Sequence, residues 1–267
     1  MKGRTNMELK PIEVDISTYP TELHSLLSSG KLYDSSCSPE AQVIFIDKDY
    51  GYFLKSAPKG KLEREAINMR YFHRKGLSAN VLSYMSNTKD WLLSEKIQGE
   101  DCISAMYLEQ PTKLCDTLAE RLNILHSLDF EGCPMQNHTK WYLDSAKNNK
   151  QMGTYNKEHF PDSFGYTSEE AAWTVVKAHS KILKNDTLLH GDYCLPNIIL
   201  DNWQFAGFID LDNAGVGDKH VDVFWVIWSL YFNLHTHKYR ARFIDAYGRD
   251  KIDEDILRIV AAVEVFG

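Results

Sequence analysis

The sequence predicts an α+β chain: residues 1–94 as a β-rich part with an antiparallel sheet and one helix, and residues 95–267 as a larger, mainly helical part. Three observations carry that prediction. Residues 43–55 alternate as strand, turn and strand; Leu114, Leu118, Leu122 and Leu125 form one helical stripe; and the polar pair Asp201-Asn202 separates two apolar runs as a hairpin turn would. At 267 residues, 43% of them hydrophobic, the chain is long and apolar enough to bury a full core.

Taken in order, Asp34-Ser35-Ser36-Cys37-Ser38-Pro39 is a polar turn, and Val43-Ile44-Phe45-Ile46 and Tyr52-Phe53-Leu54-Lys55 are strands around Asp49-Tyr50-Gly51. Residues 62–75 read as a helix, with Leu62, Ala66, Met69 and Phe72 at helical spacing and Gly76 as its stop. Residues 81–85 and 91–94 are short strands joined by a polar turn at 87–90, and a hinge follows at about 94–99. Residues 111–128 are a helix, 136–164 are polar and irregular, and Thr167-x-x-Glu170 opens a further helix as a capping box. Strands at 187–189, 198–200 and 204–209 precede helices at 221–234, 239–247 and 253–266.

The net charge of −7 and the lack of any Lys/Arg cluster exclude a nucleic-acid surface and suit a small cationic partner. Five scattered cysteines without a C-x-x-C pair predict neither a disulfide framework nor a zinc site. With no run of 18 apolar residues and no apolar leader after Met1, the chain is placed in the cytoplasm, without a membrane partner, as a monomer or weak homodimer.

The chemistry concentrates in Leu189-His190-Gly191-Asp192-Tyr193-Cys194-Leu195-Pro196-Asn197 and in Asp210, which ends the apolar run 205–209. Phosphoryl transfer needs one carboxylate to take the proton of the attacking hydroxyl, and oxygen ligands to hold Mg²⁺ on the nucleotide phosphates. Asp192 suits the first task; Asn197 and Asp210 suit the second. The hairpin brings Asp210 back beside Asn197, and Pro196 stiffens the loop that returns Asn197 toward Asp192. Lys55 ends a strand and Glu65 opens the next helix, an arrangement that aims a lysine at the α- and β-phosphates. Glu63 competes with Glu65 for that lysine. His190 reads as a brace of its loop rather than a base, since the carboxylate already fills that role, and Trp225 and Trp228 read as core.

These residues resemble a known family. His190-Gly191-Asp192-Tyr193-Cys194-Leu195-Pro196-Asn197, Gly207-Phe208-Ile209-Asp210 and Asp218-x-x-x-Asp222 are similar to the aminoglycoside 3'-O-phosphotransferases, the kanamycin kinases, which share the two-lobed protein-kinase fold. The resemblance runs nearly the whole chain, from Tyr52-Phe53-Leu54-Lys55 to Glu264-Val265-Phe266. It implies that Asp192 orients and deprotonates the drug hydroxyl, that Asn197 and Asp210 bind Mg²⁺, and that Lys55, steadied by Glu65, grips the phosphates of ATP. It places adenine near Phe53 and the hinge from Ser94 to Ile97, and Ser38 in the loop over the phosphates, where the residues alone, without a glycine-rich signature, read more readily as an ordinary turn. It assigns the cationic drug to Glu158, Asp162 and Glu264.

The chain departs from the family at several points. Asn213 stands where an arginine is frequent, Trp228-Ser229-Leu230 replaces an arginine before Ser-Ile, 233–237 lacks acidic residues, and Gly267 extends past the usual terminal phenylalanine. The expected reaction is ATP- and Mg²⁺-dependent phosphorylation of the 3'-hydroxyl of kanamycin-like aminoglycosides, which confers resistance. The rival readings are a kinase of another small hydroxylated metabolite or antibiotic, and a kinase-fold nucleotide-binding protein without turnover.

Overall fold

The computed structural model describes residues 10–37, 39, 41–155, 166 and 168–267. The chain divides into two compact units, residues 1–104 with 196–212, and residues 105–195 with 213–267. The hinge expected at about 94–99 lies within the first unit.

In the first unit the order is β1 (Lys10–Pro11), α1 (Thr21–Ser29), β2 (Lys31–Asp34), β3 (Gln42–Asp47), β4 (Tyr52–Pro58), α2 (Glu63–Arg74), β5 (Val81–Ser86) and β6 (Lys89–Glu95). Among the described residues the strands form a six-stranded sheet in the order β1-β2-β3-β4-β6-β5, with every neighbouring pair antiparallel. The two-residue period sends Ile44, Ile46, Leu54, Trp91 and Leu93 to one face, where they bury against Leu23 and Leu27 of α1. Lys55, next to Leu54, therefore leaves from the opposite face. Helix α1 adds a second helix to the one expected; only Leu23 and Leu27 of its nine residues are buried, too thin a stripe to read in a serine-rich sequence. Strand β6 begins at Lys89, paired with Pro58 of β4, so the turn before it is shorter than the expected 87–90.

Helix α2 matches its predicted stripe: Ala66, Met69 and Phe72 are buried. After β6 the chain forms the short strand Glu100–Asp101, which pairs with Ile198–Asp201 of a hairpin completed by Gln204–Phe208. Gln204 pairs with Asp201, so the loop is Asn202-Trp203, one residue later than expected. Both residues have positive φ, 48° and 71°, as a two-residue hairpin turn of this twist requires.

The second unit is mainly helical, with Pro111–Ser127, His220–Leu234, Lys238–Tyr247 and Glu254–Glu264 close to their expected spans, and Glu169–His179 where a helix was expected to open. Strand Thr187–Leu189 pairs antiparallel with Gly215–Gly217. The irregular stretch expected at 136–164 is corrected in part: His138–Met152 is a helix. The Asn137 side chain caps it by accepting from Lys140 N, Gly153 ends it in the left-handed region, and its buried residues are His138, Thr139, Tyr142 and Ala146. A buried face that includes a histidine, a threonine and a tyrosine carries little hydrophobic signal. The helix at 169 is capped by Ser168, which accepts from Ala171 N at 3.2 Å; Thr167 lies outside the described residues. Among the described residues no helix is long and apolar enough to cross a membrane.

Candidate active site

In the first unit, Lys55 Nζ lies 2.7 Å from Glu65 Oε2 and 3.1 Å from Asp210 Oδ1. The structure thus resolves the choice between Glu63 and Glu65 in favour of Glu65, which is buried while Asp210 is half exposed. Burial works against the charge on Lys55, yet Glu65 and Asp210 more than offset it and hold the ammonium above its ordinary pKa. A lysine kept charged between two carboxylates, one of them open to solvent, is ready to meet anionic oxygens.

Asn197 is buried, and its carbonyl accepts from Ile209 N at 3.0 Å, so Asn197 and Asp210 share the open end of the hairpin. Their amide and carboxylate are hard oxygen donors. Among the described residues no three His, Cys, Asp or Glu side chains are grouped to hold a metal by themselves. A carboxylate beside a lysine, with an amide side chain at the same end of the hairpin, fits Mg²⁺, which is held through one or two protein groups together with nucleotide phosphates.

On the same unit Phe53 and Ser94 face each other across β4 and β6, and Phe53 packs 5.2 Å from Phe45. Ile97 lies against Gly207, where an added Cβ would meet Ile97 Cδ1 at 2.7 Å. Ser38, Glu158 and Asp162 lie outside the described residues.

Asp192 belongs to the second unit, on a loop held from below by Asp222. The two oxygens of Asp222 accept from His190 N and Gly191 N, each at 2.8 Å, and His126 Nε2 is 3.1 Å from Asp222 Oδ2. His190 is fully buried and its Nδ1 accepts from Asp192 N at 3.2 Å, which fits the expected bracing role. Gly191 has φ +82°, and a Cβ there would sit 1.9 Å from the carbonyl oxygen of Asn213, so only glycine suits the position. Downstream, Leu195 N donates to Ser229 Oγ at 3.0 Å and Tyr193 OH to Leu118 O at 3.0 Å. Asp218 accepts from Lys184 N and His220 N and lies 2.6 Å from His220 Nδ1. Asp218 and Asp222 thus order backbone. Sequence reasoning noticed their spacing without assigning that work, and His126 gave no signal at all.

Glu264 is also in this unit and is buried, with Tyr142 OH donating to its Oε1 at 2.7 Å. Burial pushes its carboxyl up to about 8, against the hydrogen bonds from Tyr142 and Trp225. Of the three carboxylates expected to meet a cation, the one that is described is therefore buried, and that burial disfavours its ionised form.

The sequence profile of the Phosphotransferase enzyme family (APH) matches residues 38–259. The chain belongs to this family. It is 50% identical over 260 residues, 97% of this chain and 99% of the relative, to a probable aminoglycoside 3'-phosphotransferase of Lactococcus lactis subsp. lactis (strain IL1403). Among solved structures it is similar to the aminoglycoside-3'-phosphotransferase of type VIII, with a TM-score of 0.78 at 21% identity over 94% of this chain and 96% of that one. It is also similar to the aminoglycoside phosphotransferase APH(3'')-Id of Streptomyces rimosus in complex with ADP and streptomycin, with a TM-score of 0.69 at 20% identity, covering 84% of this chain and 90% of that one. The phosphotransferase therefore has the protein-kinase-like fold of the aminoglycoside phosphotransferases.

Proposed function

We propose that this phosphotransferase transfers the γ-phosphoryl group of ATP to the 3'-hydroxyl of a kanamycin-like aminoglycoside in the cytoplasm and so confers resistance. The observation that carries the reading is the set Lys55, Glu65 and Asp210, an ion-paired lysine at the open end of the hairpin that bears Asn197. The relative that is half identical over nearly the full chain supports the choice of substrate.

In this mechanism Asp192 accepts a hydrogen bond from the acceptor hydroxyl and takes its proton as the oxygen attacks the γ-phosphorus. The bond from the γ-phosphorus to the β,γ-bridging oxygen breaks, and ADP leaves with that electron pair. Lys55 binds the α- and β-phosphates and stabilises charge on the departing oxygen, while buried Glu65 keeps the lysine aimed. Asn197 and Asp210 would hold Mg²⁺, which when bound neutralises phosphate charge. Phe53, Ser94 and Ile97 are assigned to the adenine, Ser38 to the phosphates, and Glu158, Asp162 and Glu264 to the acceptor.

A second reading, a kinase of another small hydroxylated compound, is favoured by Glu264, whose carboxyl is buried and engaged by Tyr142 OH rather than open to a cation. Acceptor-dependent ADP release with Mg-ATP and kanamycin, compared with Asp192→Asn, tests both. Release in the parent, reduced about 10²–10⁴-fold in the variant, supports the first reading, and NMR of the product fixes the hydroxyl. ATP binding with release only from other alcohols refutes it in favour of the second; binding without release from any acceptor leaves a nucleotide-binding protein.

A further inference from the structure

Helix α2 does more in this fold than present Glu65 to Lys55. Asp210 is a non-glycine residue with φ +59°, a left-handed conformation that persists only where the surroundings enforce it. Lys55 touches its carboxylate, but a lysine is a point charge on a flexible stem and sets no backbone angle. On the other side of Asp210 the chain is gripped by two residues of α2. The Asn68 side chain, itself 1% exposed, donates through Nδ2 to Leu211 O at 2.9 Å and approaches Asp212 O at 3.4 Å. Arg64 forks onto the Asp212 carboxylate, with Nε 3.0 Å from Oδ1 and a second bond to Oδ2. A two-bonded guanidinium fixes orientation as well as distance. Arg64 and Asn68 are four residues apart and so lie on one face of α2, with Glu65 beside them. The same two turns of helix thus set the lysine that precedes Asp210 in space and the peptide that follows it in sequence.

We infer that Arg64, Asn68 and Asp212 form a latch that positions Asp210, so that its carboxylate is held in one orientation, in which it would bind a divalent cation. None of the three is a catalytic residue; they act through Asp210. The inference rests on the reading of Asp210 as a metal ligand, and its test separates the two. Two alternatives inside the fold do not account for the arrangement. If Arg64 only covered the helix, Asp212 would need no fork; if Asp212 only capped a turn, the buried amide of Asn68 would have no reason to seek Leu211 O.

The experiment measures Mn²⁺, as a probe for Mg²⁺, binding to the full chain loaded with ADP, by the loss of the free-ion paramagnetic resonance signal. The parent is compared with Arg64→Ala, Asp212→Asn and the charge-swapped pair Arg64→Asp with Asp212→Arg. Each single variant is expected to weaken Mn²⁺ binding roughly tenfold or more, as loss of a group that orients a metal ligand does. ADP binding without metal is expected to stay within about twofold, because Lys55 and Glu65 remain paired. The swapped pair is expected to recover most of the Mn²⁺ affinity. Asp212→Asn keeps the shape of the side chain and carries the test if Arg64→Ala fails to fold. Mn²⁺ affinities within about twofold of the parent overturn the latch, as does a loss that the swapped pair leaves unrepaired. A parent that binds ADP but no Mn²⁺ overturns the metal-ligand reading of Asp210 itself.

Discussion

Asp222→Asn should loosen the Asp192 loop at a cost that can be worked from its hydrogen bonds. In the parent, two buried backbone N–H groups, His190 and Gly191, each donate to one oxygen of a carboxylate at 2.8 Å. An asparagine offers only one oxygen. One N–H then loses its acceptor, and a buried unsatisfied donor costs about 1–3 kcal/mol. The other keeps an acceptor that is now neutral, which forfeits roughly 1 kcal/mol of the charge-assisted bond. If the new amide turns toward His126, it can donate to Nε2 but leaves His190 N unsatisfied. The sum is about 2–4 kcal/mol, a large part of the stability of a typical domain. Urea unfolding should show the midpoint falling with the slope unchanged, and activity at low denaturant should fall as well, because the same two peptides carry Asp192. A midpoint shift worth less than about 1 kcal/mol would refute the claim that Asp222 holds this loop.

Two further predictions follow from the same unit. The Glu264 carboxyl, raised by burial to about 8 from an ordinary 4.5, keeps a proton that the unfolded chain releases. Stability should therefore fall as pH rises between these values, by at most about 1.4 kcal/mol per pH unit from this group, and level off above 8. Glu264→Gln, which can still accept from Tyr142, should flatten that slope in melts taken from pH 5 to 8; an unchanged slope would place the proton elsewhere. Gly191→Ala should cost more than Gly132→Ala although both have positive φ. Gly132 has open space around the added Cβ, whereas at Gly191 it would collide with Asn213 O. Gly132→Ala should lose about 1 kcal/mol and Gly191→Ala several, with turnover falling only in Gly191→Ala; equal losses would show that the backbone angle alone matters.

How much of this was legible in the sequence depended on whether a residue's job leaves a local trace. Lys55, Asp192, Asn197 and Asp210 were visible as candidates because strand ends and a tight hairpin constrain spacing, and the phosphoryl transfer proposed here calls for oxygen donors and a cation within that spacing. The helix His138–Met152 was not, because its buried face includes a histidine, a threonine and a tyrosine, so tertiary packing and the Asn137 and Gly153 caps rather than periodicity define it. The hairpin turn slipped by one residue for a similar reason: Trp203 is an unusual occupant of a left-handed turn position, and only the pairing of Asp201 with Gln204 assigns it there.

The residues that hold the site in place were the least legible. Asp222 is thirty-two residues from His190, His126 is ninety-six from Asp222, and Asp212 is one hundred and forty-eight from Arg64. Each pair meets only once the chain has folded, and neither partner carries a pattern that names the other. Glu65 shows the boundary between the two cases. The sequence narrowed its role to two neighbouring glutamates, and choosing between them required the helix phase that also turns Arg64 and Asn68 toward 211–212. Chemistry at a reacting centre recurs as a motif because few residue types can perform it, whereas support can be built from any carboxylate, amide or guanidinium that geometry brings within reach. Substitutions at Asp222, Arg64 and Asn68 should thus affect function nearly as much as those at the motif itself, although the linear sequence marks Asp222 only by its spacing from Asp218 and gives Arg64 and Asn68 no supporting role.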